Sequence, residues 1–143
     1  MTLSRRRWQS KIRMLKVLAE QSEALSMPEA ESQIREIVQH YFEGLHFANT
    51  GLLRTLFSED CVLKAPGIRR DLNQWLARVE DRPVPAETGA AFDYQILTLE
   101  IIGEQAMVKV LCPLLDDVFI DFLGLLREDG QWRIVNKMYA DKP

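Results

Sequence analysis

The stretch that decides the fold is Val118–Tyr139, VFIDFLGLLREDGQWRIVNKMY. Two runs rich in β-branched and aromatic residues flank Asp129-Gly130, and Asp-Gly between patterned runs marks a tight β-hairpin. A two-residue turn there pairs Glu128 with Gln131 and sets Asp121 opposite Met138. Working upstream, Asp116-Asp117 reads as a second turn, which sets Asp121 opposite Cys112, and Gly103-Glu104-Gln105 reads as a third. The expected strands are 92–102, 106–115, 118–128 and 131–139, a four-stranded meander. Side chains alternate faces along a strand. One face then carries Val110, Cys112, Asp121, Leu123, Leu125, Ile134, Asn136 and Met138, and the other Met107, Lys109, Leu111, Phe122, Val135, Lys137 and Tyr139.

The segment before the meander has helical periodicity. Ile34, Val38, Tyr41, Leu45 and Ala48 recur at i, i+4, i+7, i+11 and i+14, the stripe of a long helix with one buried face. Thr50 is placed to cap a short helix through Leu52, Leu53, Leu56 and Phe57. Asp71 is placed to cap another, with Leu72, Trp75, Leu76 and Val79 as its apolar face. Between these two helices, CVLKAPG (Cys61–Gly67) reads as a strand ended by Pro66-Gly67. Helices first and an antiparallel sheet after specify an α+β domain. Three helices cover only one sheet face, so the other apolar face is expected to meet a second copy in a two-fold dimer.

The first 27 residues stand apart as a basic amphipathic extension, leaving 28–143 as the domain. Trp8, Ile12, Leu15 and Ala19 share a stripe, with Leu18 and Leu25 beside it. Six basic and two acidic residues make the first 26 residues net +4, and the remaining twelve basic and nineteen acidic residues give −7. An acidic body argues against a nucleic-acid surface on the domain. Membrane or partner contact through residues 1–26 is an alternative to a plain upstream extension, which is favoured because a short amphipathic stripe is a weak signal.

No run of about 18 apolar residues occurs, so no membrane-spanning helix is expected. No pattern of a secretory leader is present. Cys61 and Cys112 make neither a disulfide framework nor a zinc motif, and the reading is of reduced, buried thiols in a cytosolic protein. His40 and His46 are six residues apart, which does not place them on one helix face as a metal pair. No metal and no cofactor are expected. Asp121, among Phe119, Ile120, Phe122 and Leu123, needs a partner if it is buried.

The run Ile37–Gly67 (IVQHYFEGLHFANTGLLRTLFSEDCVLKAPG) and the ending Trp132–Tyr139 (WRIVNKMY) resemble the nuclear transport factor 2-like superfamily, which includes ketosteroid isomerases and polyketide-cyclase-like proteins. Within it YFEGLH, FDYQI and DFLGLLREDGQWRIVNKMY look most like the bacterial proteins labelled putative lumazine-binding. The resemblance spans roughly residues 30 to 140. It implies a cone (the cystatin-like roll) in which a strongly curved sheet wraps the helices around an apolar pocket. In the ketosteroid isomerases a tyrosine and an aspartic acid donate hydrogen bonds to a developing enolate, and a separate aspartate before a proline moves the proton. Tyr41 matches the tyrosine and Asp121 the second acid. Ala65, before Pro66, stands where the proton-transferring aspartate would be, and Lys64 is expected to point the other way.

The expectation is therefore a binder of a small, apolar or aromatic ligand, with Tyr41, Asp121, Asn136, Cys112, Met138 and His46 as candidate contacts. An isomerase- or cyclase-like enzyme using Asp121 or His46 as acid or base is the alternative. An interaction module working through the basic N-terminal helix is the third reading.

Overall fold

The computed structural model describes residues 2–23 and 25–143, with side chains for 5–15 and 25–143. The described elements are helices α1 (Thr2–Glu23), α2 (Met27–His46), α3 (Thr50–Leu56) and α4 (Leu72–Asp81), and strands β1 (Phe57–Ala65), β2 (Ile68–Asp71), β3 (Gln95–Ile102), β4 (Gln105–Leu114), β5 (Asp117–Glu128) and β6 (Gln131–Asp141). The helices pack on one curved, unclosed sheet of order β2-β1-β6-β5-β4-β3. The meander is antiparallel as the turns predict, but β1 lies parallel to β6. The intervening α4 and meander give the chain ample length for that crossover.

Helix α2 starts where local chemistry favours it. Ser26 accepts a hydrogen bond from the Glu29 amide, and Pro28 and Glu29 occupy the first turn. Its inward stripe buries Ile34, Val38, Tyr41 and Leu45. Gly44 lets α3 approach closely, because a Cβ there would sit 2.5 Å from Leu53 Cδ2. Helix α3 is capped by Asn49, which accepts from the Leu52 amide at 3.0 Å, and not by Thr50 as the sequence reading has it. The Thr50 hydroxyl instead donates to Glu80 at 3.0 Å. Asp71 caps α4 as expected, in a reciprocal capping box with Gln74.

Two register differences matter, and they act oppositely. The β4–β5 turn is Leu115-Asp116, so Asp121 pairs with Val110 and not with Cys112. That is a slip of two residues, which leaves every side chain on its expected face. In β6, Ile134 pairs with Leu125 and Asn136 with Gly124, which leaves Val135 as an extra, unpaired residue. A bulge of one residue exchanges the faces beyond it. Asp121 therefore sits opposite Tyr139, not Met138. Lys137 and Tyr139 turn inward, and Asn136 and Met138 turn outward, the reverse of the sequence reading.

In α1, Trp8, Met14 and Leu15 are exposed and Ile12 is half-buried. Leu18 and Ala19 of the expected stripe lie outside the described side chains, while Leu25 packs against the core. No described helix is long and apolar enough to cross a membrane.

Candidate functional site

Tyr41 reaches inward from the middle of α2 and is fully buried. Its ring stacks on Trp75 of α4 at 6.5 Å and tilts against Phe57 at 6.0 Å. Its hydroxyl donates to Asp121 Oδ2 at 2.6 Å, tying α2 to β5. Burial, then the Asp121 charge, pushes the Tyr41 hydroxyl well above its ordinary pKa, so it remains a donor.

Lys137, brought inward by the bulge, places Nζ 3.7 Å from the same Asp121 oxygen. The ammonium lies 4.3 Å from the centre of the Trp75 ring and 5.4 Å from that of Tyr41. Ring faces attract a cation, and the carboxylate neutralises it. Burial pulls the Lys137 pKa down and Asp121 opposes that shift. Tyr41, Asp121 and Lys137 thus form one buried polar cluster inside the cone.

The cluster sits at the edge of a cavity of about 120 Å³ that opens to solvent. Asp121 and Lys137 form part of its wall, together with Cys112, Trp75, Phe119 and Tyr139. Arg70, Arg78 and Arg82 line it as well, so four cationic side chains face one carboxylate. Arg70 donates to the Tyr139 hydroxyl at 2.8 Å. Arg78 is exposed at the end of α4, and Arg82 follows one turn later. The Nε and Nη2 atoms of Arg82 are buried with no acceptor. Burial lowers the pKa of its guanidinium, against the pull of Tyr41, Tyr94 and Asp121.

The structure brings together some of the candidates read from the sequence and separates others. Asp121 and Cys112 line the cavity, whereas Tyr41 stands behind Asp121 and does not. The Cys112 thiol is pushed far up by burial and then by Asp121, which removes thiolate character. Met138 is 42% exposed on the outer face, and Asn136 lines an outer groove with Met107, Leu126 and Val135. His46 is buried among Phe47, Phe92 and Tyr94, with Nδ1 3.0 Å from the Tyr94 hydroxyl, and does not reach the cavity. Lys64 and Met138 are partners across β1 and β6. Ala65, one residue on, ends β1 with no proton-accepting side chain. Among the described residues no cluster of His, Cys, Asp or Glu is placed to hold a metal.

Sequence reading missed Lys137, Tyr139 and the three arginines. Arg78 and Arg82, at i and i+4, were a usable signal of two cations on one helix face within an acidic body. Nothing local marked Lys137.

The model of the family described as putative lumazine-binding matches residues 29–140. The chain belongs to this family. The match takes in the whole cluster and cavity and leaves α1 outside. Among curated proteins no match is found. Solved structures with the same fold include a nuclear transport factor 2-like protein of unknown function from Shewanella baltica, at 19% identity and TM-score 0.72, covering 83% of this chain and 98% of that one. Another of unknown function, from Silicibacter pomeroyi, has 22% identity and TM-score 0.69, covering 82% and 100%. A putative ketosteroid isomerase from Kribbella flavida has 19% identity and TM-score 0.53, covering 78% and 79%. The family and its neighbours establish the nuclear transport factor 2-like cone.

Proposed function

We propose that this member of the putative lumazine-binding family binds a small ligand in the cavity walled by Asp121 and Lys137, with Tyr41 as the buttress that holds Asp121 in place. The observation that carries this reading is the position of the ion pair. Asp121 and Lys137 are almost wholly buried, yet both border a cavity that opens to solvent. Oriented polar groups on a wall that also carries Trp75 and Phe119 are the usual makings of a small-molecule site. The cavity volume is on the scale that accommodates a single ring. Ring-lined walls suit a flat body.

Acid–base catalysis is less well supported. Ala65 carries no base, His46 is hydrogen-bonded to Tyr94 outside the cavity, and Asp121 is engaged by Tyr41 and Lys137. Thermal shift with a panel of single-ring compounds tests the binding reading, because a ligand that binds only the native state raises its melting temperature. At least one compound is expected to raise the melting temperature of the wild type and to lose that effect in Lys137→Met. If no compound does so, the cavity is not a binding site.

We also propose that a second copy covers the outer sheet face. Met107, Val118 and Met138 are between 38% and 48% exposed there, beside half-buried Ile120, Phe122 and Leu126. Lys109 and Asn136 interrupt an otherwise apolar patch on the sheet face turned away from Tyr41 of α2.

A further inference from the structure

We propose that the ligand of this cavity is a small organic carboxylate, its acid group held by Arg82 and Lys137 and its apolar body laid against Trp75 and Phe119. This rests on the binding reading above and adds the charge of the ligand. The cavity is lined by Arg70, Arg78, Arg82 and Lys137 against Asp121 alone. Asp121 already accepts from Tyr41 and pairs with Lys137, so it has little left to offer the arginines. Arg70 is turned to Tyr139.

Arg82 is the group left over. Two of its buried nitrogens have no acceptor. Buried donors without acceptors are costly, and natural proteins seldom keep them without a reason. The carbonyl end of α4 favours nearby cations, which explains tolerance of Arg78 and Arg82, but it does not supply the missing acceptors. A guanidinium presents a planar fork of donors that matches a carboxylate, and both are strengthened where water is excluded. The body of the domain is acidic, so the basic cavity is a local exception that draws small anions inward from an otherwise repelling surface.

The apolar requirement follows from the other walls. Trp75, Phe119, Leu45 and Leu114 supply the apolar part of the lining, against which a hydrocarbon ring can pack. Inorganic phosphate would use the cations but waste these contacts. A single-ring acid uses both.

The test compares benzoate, benzamide and inorganic phosphate by titration calorimetry, with wild type, Arg82→Gln and Arg82→Lys. Benzoate is expected to bind wild type at least about tenfold more tightly than benzamide, the preference that one well-made charged contact confers. The preference should collapse in Arg82→Gln, survive in part in Arg82→Lys, and weaken with added salt. Melting of the ligand-free proteins provides an independent readout. Arg82→Gln should melt no lower than wild type, because the guanidinium it removes is unpartnered.

Equal binding of benzoate and benzamide would overturn the carboxylate proposal and leave small-molecule binding intact. Phosphate binding as tightly as benzoate would overturn the organic part of the proposal. No binding by these or by neutral single-ring compounds would overturn both readings. A marked fall in melting temperature in ligand-free Arg82→Gln would show that Arg82 has a structural partner, and would overturn its assignment to the ligand.

Discussion

Replacing Lys137 with methionine removes the ammonium beside Asp121 and keeps an unbranched side chain between Trp75 and Tyr41. The two charges are 3.7 Å apart and only 7% and 4% exposed. At an effective dielectric constant of about 20, their attraction at 3.7 Å is roughly 4.5 kcal/mol, which the cost of burying both groups partly offsets. The single substitution leaves a buried carboxylate with the Tyr41 hydroxyl and the Cys112 thiol beside it but no counter-charge in contact. Breaking one side of such a pair costs about 3 kcal/mol, the lower end of what buried pairs show. Asp121→Asn leaves Lys137 without its counter-charge and is expected to cost a similar amount. The double substitution removes both charges together, so its cost should fall short of the sum of the singles by about 2 kcal/mol. Urea unfolding followed by tryptophan fluorescence measures all four corners of the cycle. With a slope of about 1.5 kcal/mol per molar urea, each single variant should unfold about 2 M earlier than wild type. If Lys137→Met moves the midpoint by less than about 0.5 M, or if the two singles simply add, the pair is not the coupled unit described here.

Three further outcomes are expected. Gly44→Ala drives a methyl group to within 2.5 Å of Leu53 Cδ2 and should cost about 1–3 kcal/mol of stability in thermal or chemical unfolding, and an unchanged melting temperature would contradict the close α2–α3 packing. Stability should fall as pH rises from about 10 toward 12. Burial pushes the Tyr94 hydroxyl from 10.0 and the Cys61 thiol from 9.0 up to about 12, and it raises Tyr41 too, so their contribution is complete below those ordinary values and lost as pH climbs. Lys137, whose folded pKa is depressed below 10.5, acts in the opposite direction as pH rises to that value, but it is outnumbered. A melting temperature that stays flat or rises across this range would contradict the burial of these groups. Sedimentation should find wild type dimeric and the combined variant M107K/M138K monomeric with an unchanged fold, and a monomeric wild type would rule out the outer-face dimer.

What the sequence made legible was what neighbouring residues decide. Asp129 and Gly130 both adopt positive φ, at 52° and 75°, as a tight Asp-Gly hairpin requires, and the Glu128–Gln131 pairing follows from them. The stripe of α2 and the Asp71 cap were equally plain. The Leu115-Asp116 turn was misplaced by one position, which moved every β4–β5 partner by two and so left Asp121 and Cys112 facing inward. The extra residue in β6 was not legible. Ile134 and Val135 are both apolar and β-branched, so the alternation runs through them without a mark. Lys137 fell on the outward face because an unbroken alternation from the Asp129-Gly130 turn puts it there, and burying an ammonium needs compensation. Its compensation comes from Asp121, Trp75 and Tyr41, the last lying 96 positions away in the chain. A local pattern cannot register partners at that distance.

The bulge at Val135 also bears on how the family can be compared. It puts Lys137 and Tyr139 where an unbroken ladder would put Asn136 and Met138, so the charge on the cavity wall depends on backbone phase as well as on residue identity. A relative that keeps the same residues but pairs them straight through, without the bulge, would present an amide and a thioether to this cavity and turn its lysine out to solvent. Aligned columns would look alike while the cavity walls differed by a buried cation. The charge on such a wall can change through strand pairing alone, with no substitution in the lining at all.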